Sequence, residues 1–540
     1  MRKTFLLLCD ILGIILALLL VSTVARAQAL SVPITVQAAE WSGQTTAVTG
    51  TRANAPVTFG LGLPDSTQID CPGTIATPGS VPTKLELKNG STQLASQFRC
   101  LGKWPDGYAE WVLVDAQLPS FAEGSPGYDT SITVTQVSSG GGNFPATQMA
   151  EQCTGSGTPA SACPDANHIL VQTTAATFLI KQANYNLFDD VNVGGAHLVA
   201  TSNHGANDGL YLQGPPDSAI PPTNASPTID SVSCVPTANG TTALAGSSGP
   251  IPTSYAGPSL CATAYISAND SASTCTIEEN GPLRAVVLCQ GDMKNASGHA
   301  YMHWRTRTHF WFQHSDAKVT VALRNADVPA GCCTTANFYN GYKEYSQFEA
   351  RLTDNLANTT RNFDIANDTA TSTTGTVTST QSAYLFEGHT TNGAWPHWDA
   401  AGGNNCTVES DGCVQSYIAR SGAAGNRQYA MEGYQIVGTG GSVVKSGANT
   451  AYPAGWADLD DGVNGIEAGV YQLSMYWPKS LEIQPGATSG HNEIRVGIWP
   501  SQQEWMGAAN TSFSSTDSTC ASAPAKPCEP ITSYATQWPQ

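Results

Sequence analysis

Short runs in which apolar and polar residues alternate with period two recur along this chain, and they constrain its fold more than any other feature. A strand sends successive side chains to opposite faces, so such a run buries one face and wets the other. Thr83-Lys-Leu-Glu-Leu87, Trp111-Val-Leu-Val-Asp-Ala-Gln117 and Lys318-Val-Thr-Val-Ala-Leu323 are examples. Thr, Ser, Asn and Gly fill the gaps, as turns require. Helical periodicity is scarce, and its best candidate is a short helix over Tyr345–Leu356. The expectation is an all-β protein of sandwich or barrel units, in two or three domains for a chain of 540 residues.

Charged residues make up only 12% of the chain, so uncharged polar side chains must supply the wet faces. The formal charge is −18. Nothing resembles a basic face able to displace counterions from phosphates, which argues against a nucleic-acid partner. A coiled coil is excluded by the shortage of Glu, Lys and Arg.

Arg2 and Lys3 precede an apolar run, Ile11–Val21, and Ala25-Arg26-Ala27 is a small-x-small cleavage pattern. Residues 1–27 therefore read as a secretory signal peptide, with a mature chain beginning near Gln28 or Leu30 and secreted to an extracellular or periplasmic space. Asp10 interrupts the run, whereas a membrane anchor needs ~20 uninterrupted apolar residues; no membrane attachment is expected after cleavage. Of fifteen Cys, Cys9 leaves with the signal, and the even remainder in an exported chain points to disulfides rather than metal ligands. The spacings suggest Cys71–Cys100, Cys153–Cys163, Cys234–Cys261, Cys275–Cys289, Cys406–Cys413 and Cys520–Cys528, which leaves the adjacent Cys332 and Cys333 to each other. Cys275 and Cys289 have further support, standing either side of the turn signal Asn280-Gly281-Pro282.

Composition shifts divide the mature chain. Ser138-Ser-Gly-Gly-Gly-Asn143 is a flexible-linker type, and the end of the chain is Ser/Ala/Pro-rich. The expected organisation is a first domain over 30–137, a linker over 138–164, a larger domain over 165–505 and a Cys-containing tail over 506–540. A Pro- and Ser-rich insertion over 214–260 would be pinned by Cys234 and Cys261. Asn-x-Ser/Thr sequons occur at Asn89, Asn224, Asn295 and elsewhere.

Several runs in order carry a family resemblance. They are Val57-Thr-Phe-Gly-Leu-Gly-Leu-Pro64, Gln97-Phe-Arg-Cys-Leu-Gly-Lys-Trp-Pro-Asp-Gly107, Trp111-Val-Leu-Val-Asp115 and Phe178–Asp189. Glu279-Asn-Gly-Pro-Leu-Arg-Ala285, Gly455–Gly462, Tyr476–Glu482 and Ile498-Trp-Pro500 follow. Together they resemble the exo-acting rhamnogalacturonan lyases. The resemblance implies a small N-terminal β-barrel followed by a large β-sandwich, disulfide-rich. It also implies an exported carbohydrate-active protein that cleaves pectic uronates by β-elimination, with an acidic plant-type polysaccharide or oligosaccharide as partner. In that family a helical α/α toroid follows the sandwich. The last hundred residues show no helical periodicity, so the resemblance implies an incomplete catalytic cleft. A non-catalytic carbohydrate-binding module and a structural extracellular protein are the alternatives. Two of the motifs also have a purely local reading: Trp104-Pro-Asp-Gly107 and Gly281-Pro282 are turns.

Uronate β-elimination needs a cation on the carboxylate, a base for the C5 proton and an acid for the leaving oxygen. Tyr301-Met-His-Trp-Arg-Thr-Arg-Thr-His-Phe-Trp-Phe-Gln-His314 offers that set. As a strand it places Tyr301, His303, Arg305, Arg307 and His309 on one face, and Met302, Trp304, Phe310 and Phe312 on the packed face. His303, Arg305, Arg307 and His309 are the catalytic candidates and Tyr301 a substrate contact. The competing reading pairs the arginines with neighbouring acids on a wet sheet face. Trp395-Pro-His397-Trp398-Asp399, with His389, is a candidate sugar platform, or else core aromatics in a loop. No cofactor is expected. Calcium is the one candidate, at Asp458, Asp460, Asp461 and Asn464 around Gly462, although Gly469 stands where the bidentate Glu of a calcium loop would be. A turn with Asx caps explains the same residues.

Overall fold

The alternating runs are realised as strands. Among the described residues there is no α-helix, and single 3-10 turns stand at Asp65–Thr67, Thr201–Asn203 and Ser267–Asn269. The computed structural model describes residues 30–37, 50–52, 56–72, 81–118, 121–123, 129–155, 163–214, 263–325, 345, 347–369, 371–387, 418–420, 427–429, 433–439, 443–448, 451–471, 473 and 479–499. Residues 1–27, expected to be a signal peptide, the body of the insertion, the tail, the His389–Asp399 segment and Cys234, Cys261, Cys332, Cys333, Cys406, Cys413, Cys520 and Cys528 lie outside them. No helix among the described residues is long and apolar enough to cross a membrane.

The chain divides into two units. The first comprises residues up to Glu151 together with Ile277–Val287 and His309–Ala317; the second holds the rest. In the first unit a four-stranded sheet runs in the order Ser31–Gln37, Asp129–Gln136, Leu85–Asn89, Thr92–Gln93. A three-stranded sheet runs Pro56–Gly62, Ala109–Gln117, Ser96–Lys103. Both sheets send alternate residues into one core, including Leu61, Leu85, Leu87, Phe98, Val112, Val114, Ile132 and Val134. Val112 and Val114 occupy that core, so Trp111, Leu113 and Asp115 lie on the outer face, as period two requires. The turn after Lys103 closes as expected: Trp104 N donates to Tyr108 O, and Gly107 takes φ +95°.

The glycine run Ser138–Asn143 is docked rather than a free linker. Gly142 N donates to Leu85 O at 2.8 Å, and the Asn143 side chain accepts the Phe98 amide at 2.8 Å. Gly141 is required there, because a Cβ would stand 2.6 Å from Leu85 O. The composition of a flexible linker is here the composition of a close backbone approach.

In the second unit one sheet carries His168–Gln172, Ala176–Lys181, Asp190–Val193 and Ala196–Val199 in that order, and a four-stranded sheet is ordered Thr373–Thr378, Thr360–Ile365, Trp456–Asp460, Gly465–Gly469. A larger sheet has Gln347–Thr353 between Gly209–Gly214 and Asn492–Trp499. Gln347–Thr353 is therefore a strand and not the expected helix. Gln347, Glu349, Arg351 and Thr353 form one face and are all buried, with Arg351 Nε donating to Glu349 Oε2 at 2.8 Å. Three of the expected disulfides are formed: Cys71–Cys100, Cys153–Cys163 and Cys275–Cys289.

Candidate functional site

The strand Ala300–Trp311 alternates as its sequence requires: Met302, Trp304 and Phe310 are buried, whereas His303, Arg305, Arg307 and His309 are half-buried. The structure nevertheless gives the candidate residues separate partners. His303 Nδ1 pairs with Asp292, and Arg305 Nη2 donates to Gln290 at 3.3 Å. His309 Nδ1 stands 3.2 Å from Arg284 Nη2. Tyr301 is withdrawn from solvent, its ring 5.1 Å from that of Tyr265, which corrects its reading as a substrate contact. His389, Trp395, His397 and Trp398 lie outside the described residues.

The outer face of the three-stranded sheet in the first unit carries a feature that sequence reasoning passed over. Gly62, Trp111 and Gly102 form one cross-strand row. A methyl at Gly62 would stand 3.3 Å from Cη2 and Cζ3 of Trp111, and one at Gly102 would stand 3.4 Å from its Cδ1. The indole thus rests against two bare backbones and still keeps 53% of its surface in solvent. Aromatic cover of strand glycines has a structural use, but an indole supported on one side and open on the other is also a flat apolar platform. The next row is Gly60, Leu113 and Arg99, and a methyl at Gly60 would meet nothing within 4 Å. The space over Gly60, on the far side of Leu113 from Arg99, is therefore open. Two residues along a strand is about 7 Å.

The third row, Thr58, Asp115 and Gln97, is closed by the Glu279–Ala285 motif. Arg284 Nη1 donates to Asp115 Oδ1 at 3.1 Å, and its Nη2 is 3.8 Å from Glu279 Oε2. Arg99 Nη1 donates to Glu279 Oε2 at 3.2 Å, and Gln97 Nε2 to Glu279 Oε1 at 2.9 Å. Gln97 Oε1 also accepts the amides of Leu283 and Arg284. Burial pushes the Glu279 carboxyl above its ordinary value; Arg284 and Arg99 oppose that, and the nearby Asp115 adds to it. Arg99 remains 29% exposed, and among the described residues its Nε and Nη2 have no protein acceptor. Three of the motifs behind the family resemblance thus converge on one charge network. Compared with protein families, with curated proteins and with solved structures, the chain finds no match.

Two other charged groupings belong to the second unit. His168 lies between Asp165 and Asp189, and His204 between Asp208 and the backbone carbonyl of Asp189. These groups are mostly buried and tie loops together. The second grouping is a cross-strand row, Asp364, Asp458 and Glu467. The carboxylates expected of a calcium loop are otherwise engaged: Asp460 accepts the Gly462 amide, and Asp461 accepts those of Val463 and Asn464, a turn with Asx caps. Like charges directly opposite one another destabilise a sheet. Burial, Asp460, Glu467 and Asp364 together push the Asp458 carboxyl up to about 6.

Asp458→Asn should therefore stabilise the second unit by about 1–2 kcal/mol at pH 7, discounted for solvent screening. The folded value lies above the ordinary 3.8. The wild type is thus penalised above that range and recovers as pH falls through about 6 toward about 4. Urea unfolding at pH 7 and pH 4 checks this. An advantage of the variant that persists undiminished at pH 4 would exclude charge repulsion as its cause.

Proposed function

We propose that this chain is an exported protein that binds acidic saccharide on the outer face of the three-stranded sheet, with Trp111 under a sugar ring and Arg99 at its carboxylate. The observation that carries this reading is the half-exposed indole resting on Gly62 and Gly102. A pyranose has an apolar C–H face that stacks on such a platform, and Arg99 offers open donors one row away. The secretory pattern at the start of the chain and the three disulfides support export. On this reading the first unit corresponds to the small barrel, and the second to the sandwich, of the rhamnogalacturonan-lyase resemblance.

Trp111→Ala should weaken oligogalacturonate binding by about tenfold, since stacking contributes ~0.5–1.5 kcal/mol beyond the area it covers. Added salt should weaken it further through the exposed Arg99. Titration calorimetry measures both, with circular dichroism as the control for folding. Unchanged affinity in a folded Trp111→Ala protein would remove the platform. The second reading is uronate β-elimination at His303, favoured by Asp292, which orients the imidazole as a base would need. It requires ultraviolet absorbance from unsaturated uronate that His303→Ala abolishes while leaving binding intact.

A further inference from the structure

We propose that Glu279 sets the anion preference of this face by competing with the ligand for Arg99: an acidic saccharide binds by drawing that guanidinium off the Glu279 carboxylate and onto its own. The inference rests on the reading of the Trp111–Arg99 face as a saccharide site.

Of the two groups, only Arg99 is within reach of a ligand, being 29% exposed where Glu279 is 4% exposed. Arg99 touches Glu279 through Nη1 alone and has Nε and Nη2 to offer. Glu279 would not be stranded by the exchange. Gln97 Nε2 stays at 2.9 Å on Oε1, and Arg284 Nη2 stands 3.8 Å from Oε2. The charged groups facing this carboxylate are Arg99 from Ser96–Lys103, Asp115 from Ala109–Gln117 and Arg284 from the other arm of its own hairpin; His309 reaches Arg284 from Ala300–Trp311. Two guanidiniums thus balance two carboxylates. A third carboxylate, brought by the ligand, leaves the cluster acid-rich, and the buried Glu279 is the group best placed to take up a proton in response. Binding of an acid should therefore consume protons, and binding of its methyl ester should not. Burial already raises the Glu279 carboxyl above its ordinary value, which favours that uptake.

The experiment is titration calorimetry of trigalacturonate and of its methyl ester, each in buffers of differing ionisation enthalpy. The wild type should take up protons with the acid and none with the ester. Glu279→Gln keeps the size of the side chain and one acceptor, for the Gln97 amide, but gives up the second acceptor and the competing charge. It should bind the acid about threefold to tenfold tighter near neutral pH, without proton uptake, and leave the ester unchanged. A folded Glu279→Gln protein with wild-type affinity for the acid overturns the inference. So does wild-type binding without proton uptake, which decides the matter if the variant does not fold. Loss of Trp111 dependence, or no saccharide binding at all, overturns the underlying reading, and the inference with it.

Discussion

Arg284→Ala should lower the stability of the first unit by about 3–5 kcal/mol, the range for removing one partner from a buried ion pair. Asp115 and Glu279 have side chains only 5% and 4% exposed, and Arg284 reaches both. Without it, Asp115 keeps only Thr58 as a hydrogen-bond partner among the described residues, and its Oδ2 has none even in the intact protein. Glu279 keeps Arg99 and Gln97. The loss should shrink in acid, because protonation relieves a carboxyl left without its cation. Urea unfolding followed at pH 7 and at about pH 4 separates this from a packing defect, which would cost the same at both. Arg284→Met removes the charge but keeps most of the bulk. If it proved as stable as the wild type at pH 7, the network would contribute nothing beyond its volume.

The same residues show what could be read in advance. The hairpin at Asn280-Gly281-Pro282 was legible, and its strands Thr274–Asn280 and Arg284–Lys294 carry the expected Cys275–Cys289 bridge. The demand on Gly281 was not. Its φ is ordinary for any residue, but a Cβ would stand 2.0 Å from the Gln97 carboxamide. That constraint comes from a strand far away in the chain, which no local turn rule contains. The alternation of residues 301–311 was legible because its packed face is apolar. Residues 347–353 were misread because Gln347, Glu349, Arg351 and Thr353 are buried as deeply as the apolar Phe348, so polarity ceased to report the direction of the core. Alternation over Trp111–Gln117 fixes which strand face Trp111 takes, but its support by Gly62 and Gly102 depends on those residues arriving in register on the flanking strands. Pairing of that kind is set by tertiary structure. Likewise, nothing in the spacing of His168, Asp189, His204 and Asp208 announces that they share hydrogen bonds.

Those four residues carry the second large effect: Asp189→Asn should cost the second unit about 3–5 kcal/mol at pH 6 and distinctly less at pH 8. Asp189 is 1% exposed and accepts from Asn186 and Thr201 as well as from His168 Nε2 at 3.3 Å. His168 Nδ1 is 2.6 Å from Asp165, so this imidazole has a carboxylate at each nitrogen and can donate to both only as the doubly protonated cation. His204 is in the same position, between the Asp208 carboxylate and the Asp189 carbonyl. Burial pulls both histidines down, but these hydrogen bonds outweigh it and raise them above the ordinary 6.5. Their stabilising contribution is therefore complete below about pH 6.5 and fades as pH rises through the raised values. Asp189 runs the other way. Its hydrogen bonds to His168, Asn186 and Thr201 overcome burial and hold it well below the usual carboxylate range, so its contribution is present above about pH 4 and is lost only in strong acid. The unit should be most stable between those limits. Asp189→Asn removes the charge that favours both cations, so the variant should lose much of the wild type's decline between pH 6 and pH 8. Guanidinium unfolding at the two pH values measures it. An equal loss at both would mean that Asp189 acts as a neutral acceptor, with the histidines uncharged and one nitrogen of each ring left without a bond to donate.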